Sequence, residues 1–275
     1  MRRVAVTTAL WQSVGFAHGV LNTDNISILG LTIDYGPFRF ADEFDENMVP
    51  NSSDDERRYS YSQQPSVMEE NLRHLLSALS TIMTSEEYRE AESALESYKA
   101  VYWQEYMLAF RRKIGLRGVQ ITDDDETLIS DLLSIMSDQK ADFTATFWQL
   151  SDISLRALLK VKSKNTKRLP WALQQLDQHD RFSSWLVRYA QRLKLAGVSD
   201  SERRSVIQRA NPHYVLRNWM AQQAIDRAET NDFSLIHLLQ SVLRRPFEEH
   251  TVAELMGYSS RPPLWSRNIT VSCSS

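Results

Sequence analysis

Apolar and polar positions in this chain follow two different periods. Over most of its length, apolar residues recur every three or four positions, the spacing that gathers side chains on one face of a helix. Residues 3 to 14 read as the end of such a helix. Pro65 suits a first helical turn, and the segment that continues from Val67 to Leu79 sets Leu72, Leu75, Leu76 and Leu79 on one side. Thr84 with Glu87, and Ser199 with Glu202, have capping-box spacing. The first box predicts a helix to about Lys113, ending before Gly115. Its stripe of Tyr88, Ala91, Leu95, Tyr98, Tyr102 and Tyr106 reads as core rather than a ligand box. Asp123 to Glu126 opens another helix, with Leu128, Leu132, Leu133 and Met136 inward. Further helices are predicted over Ala141 to Leu150, Ile153 to Val161, Pro170 to about Leu195, Tyr214 to Glu229 and Phe233 to Leu243. Asn211-Pro212 breaks the run, and Pro246, Pro262 and Pro263 mark an irregular tail. No internal repeat or strong interdomain linker is visible.

One stretch departs from this period. Polar Asn22 to Asn25 is followed by two short apolar runs, Ile26 to Leu29 and Leu31 to Ile33, that flank Gly30. The pattern predicts a small hairpin. Asp34-Tyr35-Gly36-Pro37 follows, so the open end of the hairpin would hold Asn25 and Asp34 near each other. One carboxylate and one amide oxygen suit Mg²⁺, which takes few protein ligands and completes its shell with water and phosphate. Residues 38 to 65 are polar and acidic. Composition alone makes them a solvated loop, and their place after the Asp34 turn makes them a candidate activation segment.

Composition narrows the function classes. The chain has 275 residues, 42% hydrophobic and 24% charged, with a net charge of −3 and only 8 Gly and 8 Pro. This is the profile of a mostly helical globular protein, and the charge implies no nucleic-acid or membrane-surface partner. No run of about 18 apolar residues is present. The start, Met1-Arg2-Arg3-Val4-Ala5-Val6, does not make a signal peptide, because Thr7, Thr8, Gln12 and Ser13 interrupt it. A single cysteine excludes an internal disulfide, and the six histidines show no zinc-ligand spacing. Arg111, Arg112 and Lys113 fit a helix C-terminus, where cations meet the negative end of the dipole. Lys160 to Arg168 reads as a solvated basic loop.

The order of parts in residues 18 to 38 is that of a kinase-like catalytic loop, in which a loop Asn and the Asp of an Asp-Phe-Gly-type turn hold metal. Asn25 and Asp34-Tyr35-Gly36 occupy those places. His18-Gly19 is followed by Val20, which cannot serve as a base, and Asp24 is the loop's only carboxylate. The string resembles the selenoprotein O family, pseudokinase-fold protein adenylyltransferases. Weaker marks occur in the family's order: Gln63-Gln64-Pro65 with Asn71-Leu72, Arg111-Arg112-Lys113 with Gly115-Leu116, Ala141-Asp142-Phe143-Thr144, Asn211-Pro212 with Tyr214-Val215-Leu216-Arg217-Asn218, and the end Cys273-Ser274-Ser275.

The resemblance implies a mainly α fold: a protein-kinase-like C-lobe with a small β-hairpin at the active site and an extended helical C-terminal region. One region spans 1–275, with the catalytic loop, metal hairpin and activation-segment analogue in 1–80, helices in 81–257 and a flexible tail in 258–275. It implies Mg²⁺, or Mn²⁺ in its place, held by Asn25 and Asp34, and ATP reached by Asp34 through the metal. It makes Asp24 the proton acceptor for a Ser, Thr or Tyr hydroxyl of a target protein, with AMP transferred and His18 bracing the loop. Two rival readings stand beside it: a γ-phosphate-transferring kinase, and an inactive fragment with an interaction role. Family members carry a Gly-rich loop, a Lys and a Glu before this loop, so the chain reads as the C-terminal part of a longer protein. The family's compartment is mitochondrial in eukaryotes and not in bacteria. Cys273 stands where selenoprotein members place selenocysteine, which implies a redox role. Some bacterial members tie this tail by a disulfide to a cysteine at the place that Pro50 occupies here, so that lock is closed to this chain.

Overall fold

Helices account for most of the architecture, and the side chains of Thr84, Thr122, Asp142 and Ser199 cap helix N-termini. The computed structural model describes residues 1–158, 169–176 and 180–271. They form two compact units, one made of Met1–Arg39, Glu46–Ala109 and the segment from Thr270, the other of Phe40–Asp45 and Phe110–Ile269.

The first unit begins with α1 (Arg2–Ser13), followed at once by the short strand β1 (Phe16–Ala17). β1 pairs with β2, which begins at Arg39 (Arg39–Phe40). Next come α2 (Gln64–Leu79), with Pro65 in its first turn, and α3 (Ser85–Glu96), whose N-cap Thr84 and N3 Glu87 complete the predicted capping box. The helix expected to run on to Lys113 is instead divided at Ser97, and α4 (Tyr98–Lys113) starts anew. The Ser97 hydroxyl donates to the Ala94 carbonyl (2.7 Å), a local bond that competes with the helical ladder. Val4, Ala5, Ala9, Phe16, Leu21, Val67, Met68, Leu72, Leu95 and Tyr98 are buried and form this unit's core. Leu75, expected inward, is partly exposed. The stretch 38–65, expected to be irregular, is largely so over 41–60 but also holds β2, a 3-10 turn at Tyr61–Gln63 and the start of α2. Within it Asn51 forms a parallel bridge with Val271, and the Ser52 N–H donates to the Val271 carbonyl (3.1 Å).

Among its described residues the second unit is mainly helical, with α5 (Asp123–Asp138), α6 (Phe143–Gln149), α7 (Leu155–Leu158), α8 (Trp171–Gln175), α9 (Asp180–Leu195), α10 (Asp200–Ala210), α11 (Asn218–Ala228), α12 (Ser234–Leu243) and α13 (Thr251–Leu255). Capping boxes open α5 at Thr122 and α10 at Ser199. α5 packs on α9. There the Trp185 indole donates to the Leu128 carbonyl (2.7 Å), and Phe182, Trp185 and Tyr189 stack successively.

Three helix expectations need correction. The helix predicted from Pro170 to Leu195 is two helices, the first closed by Leu176 as its C-cap. The helix predicted from Tyr214 starts only at Asn218. Asn211 and Arg217 are extended, and the Tyr214 and His213 N–H groups donate to the Pro246 carbonyl instead of entering a helical ladder. The stretch after Pro246, read as irregular, contains α13. The basic loop Lys160 to Arg168 and Cys273 lie outside the described residues. None of the helices among the described residues is long and apolar enough to cross a membrane.

Candidate functional site

The catalytic-type loop leaves β1 at His18 and runs to Phe38 within the first unit. Its first turn needs Gly19, which has φ +89°; a Cβ there would stand 2.7 Å from the Pro37 carbonyl oxygen. The loop and the segment after the Asp34 turn thus pass one another at a distance only glycine allows.

Thr23–Asn25 form a single 3-10 turn. The predicted hairpin exists in reduced form. Ile26 and Thr32 make one antiparallel bridge, with no continuous strands on either side. The hairpin is held by α1 rather than by its own ladder. Thr7 Oγ1 donates to the Gly30 carbonyl (2.6 Å) and Trp11 Nε1 to Thr32 Oγ1 (2.8 Å). Gly30 has φ +72°, and a Cβ there would meet Arg3 of α1 at 2.7 Å. Its apolar residues do not form a core: Ile28, Leu29 and Leu31 are 56–70% exposed.

Asn25 donates through Nδ2 to the Val20 carbonyl (3.2 Å). The amide nitrogen is thereby committed, and Oδ1, the atom a hard cation prefers, is the end left to offer. Asp34 is exposed and has φ +54°, left-handed backbone that is uncommon outside glycine and concentrates at functional sites. Its carbonyl accepts from the Gly36 N–H (2.8 Å) and closes the turn. Asp24 is exposed. These two oxygen donors fit a divalent cation that shares its shell with phosphate. Among the described residues no group of three or more His, Cys, Asp or Glu could hold a metal ion.

His18 braces the loop from inside. It is 1% exposed. Its Nε2 lies 2.8 Å from the Ile33 carbonyl, and its Nδ1 lies 3.4 Å from the Val20 N–H. The neutral tautomer with the proton on Nε2 satisfies both. Burial pulls the imidazole below its ordinary 6.5, against the opposing pull of the Ile33 carbonyl and the Asp34 charge. His18 therefore holds the residue before Asp34 and acts as a spacer, with its protons engaged in structure.

Two residues with no assigned role in the sequence reading enter the picture from α2. Gln64 and Asn71 are buried and bond to the backbone of this loop. Their signal was present in the sequence as amides on the apolar face of a helix. The loop also borders a cavity of about 660 Å³ whose wall includes Thr23, Ile26, Asn71 and Leu72.

The model of the family described as protein adenylyltransferase SelO matches residues 1–244. The protein nucleotidyltransferase YdiU of Myxococcus xanthus (strain DK1622) is 44% identical over all 275 residues, which span 53% of that relative. The chain thus covers about half the length of the curated relative it matches.

Proposed function

Since the chain belongs to the protein adenylyltransferase SelO family, we propose that it carries the metal-holding and acceptor-activating part of an enzyme that transfers AMP from ATP to hydroxyl groups of proteins. The observation that carries this reading is the loop itself. Asn25, its amide nitrogen anchored, and Asp34, on a left-handed turn braced by His18, stand at the open end of one hairpin. The order of strand, loop, turn, irregular segment and α2 is the one a kinase-like C-lobe would have, which supports the reading.

Asn25 Oδ1 and the Asp34 carboxylate would hold Mg²⁺, with Mn²⁺ able to replace it. That cation supplies charge neutralisation for the ATP phosphates. Asp24, one residue before Asn25 and open to solvent, accepts the proton of a Ser, Thr or Tyr hydroxyl. The hydroxyl oxygen then bonds to the α-phosphorus, the bond from that phosphorus to the bridging oxygen breaks, and pyrophosphate leaves. Val20, where a kinase of this order would carry its base, supports adenylyl over γ-phosphoryl transfer.

The test is incubation of the chain with a generic hydroxyl-rich acceptor protein, Mg²⁺, and ATP labelled at either the α or the γ phosphorus. Label from the α position only, lost in Asp34→Ala, is the expected result. Label from γ only would establish the kinase reading, and label from neither would leave the chain without the activity proposed.

A further inference from the structure

α2 presents two amide side chains to the loop that leads to Asn25. Gln64 is fully buried. Its Oε1 accepts the His18 N–H (2.9 Å), and its Nε2 donates to the Phe16 carbonyl (2.9 Å). One side-chain amide thus takes a carbonyl and an N–H from residues two apart, the pattern by which a parallel strand would pair with Ala17. Asn71 lies seven positions on, about 700° around the helix and so on the same face. Its Nδ2 donates to the Leu21 carbonyl (2.8 Å) as well as to the Val67 carbonyl of its own helix (3.0 Å).

A buried amide is costly unless it is hydrogen-bonded. Gln64 finds both its partners on Phe16 and His18, so it is satisfied only when that backbone lies in this place; Asn71 keeps its bond to Val67 in any case and gains Leu21 only with the loop here. From the held segment, two links lead to the oxygen donors. His18 Nε2 reaches the carbonyl of Ile33, next to Asp34 (2.8 Å). Val20, between His18 and Leu21, accepts from Asn25 Nδ2 (3.2 Å).

We propose that Gln64 and Asn71 are positioning residues: they hold Phe16 to Leu21 and, through His18 and Val20, set where Asp34 and Asn25 present their oxygens to a divalent cation. The last clause rests on the metal reading above. A purely structural role would lower stability and leave the metal affinity of the folded protein unchanged. A positioning role moves that affinity while the fold persists.

The experiment uses the 275-residue chain with Mn²⁺ and ATP, and follows proton relaxation, the ¹⁵N resonances of the His18 ring and hydrogen exchange of the His18 amide. In Gln64→Leu and Asn71→Leu, Mn²⁺–ATP affinity should fall about 10–100-fold, the usual effect of removing a partner that orients metal ligands. The His18 ring resonances should shift, and its amide should exchange faster in Gln64→Leu. Gln64→Glu keeps the acceptor for His18, so that amide should stay protected and the affinity should fall less. Affinities within twofold of the wild type, with unshifted His18 resonances, would overturn the proposal. If the leucine variants do not fold, Gln64→Glu and Asn71→Asp decide it: each removes a donor and keeps the shape, and unchanged affinity and resonances in both would overturn it. A wild-type chain without Mn²⁺–ATP binding would instead sink the metal reading. The His18 resonances of the variants would still decide whether the amides hold the loop.

Discussion

The two units bury polar groups in opposite chemical forms. In the first, the buried polar side chains at the loop are neutral: Gln12, His18, Gln64 and Asn71 all bond to backbone. Gln12 and Tyr61 even exchange bonds, side chain to carbonyl in each direction, at 2.6 Å. In the second, which also buries neutral groups such as Thr146 and Asn211, the distinctive buried side chains are charged. Arg217, 3% exposed at its side chain, meets Asp42 at 2.7 Å and Asp142 at 2.8 Å. Asp125, fully buried, receives Arg111 at 3.0 Å and Arg192 at 2.7 Å. Lys113 donates to Asn211 Oδ1 (2.6 Å) and lies over Phe147 at 4.1 Å. Neutral amides can place an irregular backbone without desolvating charge. Ion pairs tie segments distant in sequence, such as 42 and 217, but leave an uncompensated charge when either partner goes. The first unit should therefore lose function readily and stability slowly, and the second the reverse.

The largest effect expected is catalytic. Asp24→Ala should cut AMP transfer by about 10²–10⁴-fold, the usual worth of a positioned base, while nucleotide binding and the melting temperature stay unchanged. Equilibrium nucleotide titration and calorimetry beside the transfer assay would check this, and a loss of fold would break the contrast at its first unit. Next comes Arg217→Met, which strands Asp142 and Asp42. It should destabilise the protein by about 3–5 kcal/mol in urea unfolding, and a cost under about 1 kcal/mol would show that the buried ion pairs contribute little.

Lys113 sharpens the contrast through pH. Burial pushes its ammonium well below the ordinary 10.5. In the unfolded chain the same group stays protonated up to about 10.4, so between the lowered folded value and that pH the unfolded state binds more protons and stability rises with pH. Urea midpoints at pH 7 and 9 should rise in the wild type more than in Lys113→Met, by at most about 1.4 kcal/mol per pH unit. The smallest effect belongs to His18. Its imidazole is held below 6.5 by burial, so the folded form stays neutral where the unfolded one is already charged. Its contribution is whole above about 6.5 and is lost as pH falls from there towards the folded value. His18→Gln should flatten that acid limb in unfolding curves. His213, lowered by burial despite Glu254 beside it, should leave a remainder.

Much of the helical order was legible because it is written locally. Thr84 with Glu87 and Ser199 with Glu202 need only three-residue spacing to form their boxes. The Leu128, Leu132 and Met136 stripe needs only helical period to turn inward. The misreadings arose where a non-local or competing bond prevailed. Tyr214 lies outside any helix, and its N–H finds Pro246, thirty-two positions away. The helix at Ser97 breaks because a hydroxyl competes for the Ala94 carbonyl. At the site, Asn25, Asp34 and Asp24 could be named from their order along the chain. Gln64 and Asn71 could not be given roles, since an amide on a helix face says nothing about which backbone it will meet.

By itself, then, the sequence determined the helical character of this protein, two of its capping boxes and the order of the loop that marks its family, because capping, periodicity and motif order act over a few residues. Only the tertiary structure decided that the hairpin is a single bridge leaning on Thr7 and Trp11, that Asp34 takes a left-handed conformation, and that two amides of α2 hold the loop in place. Each of those outcomes depends on which polar groups become buried together, and burial is a property of the packed chain.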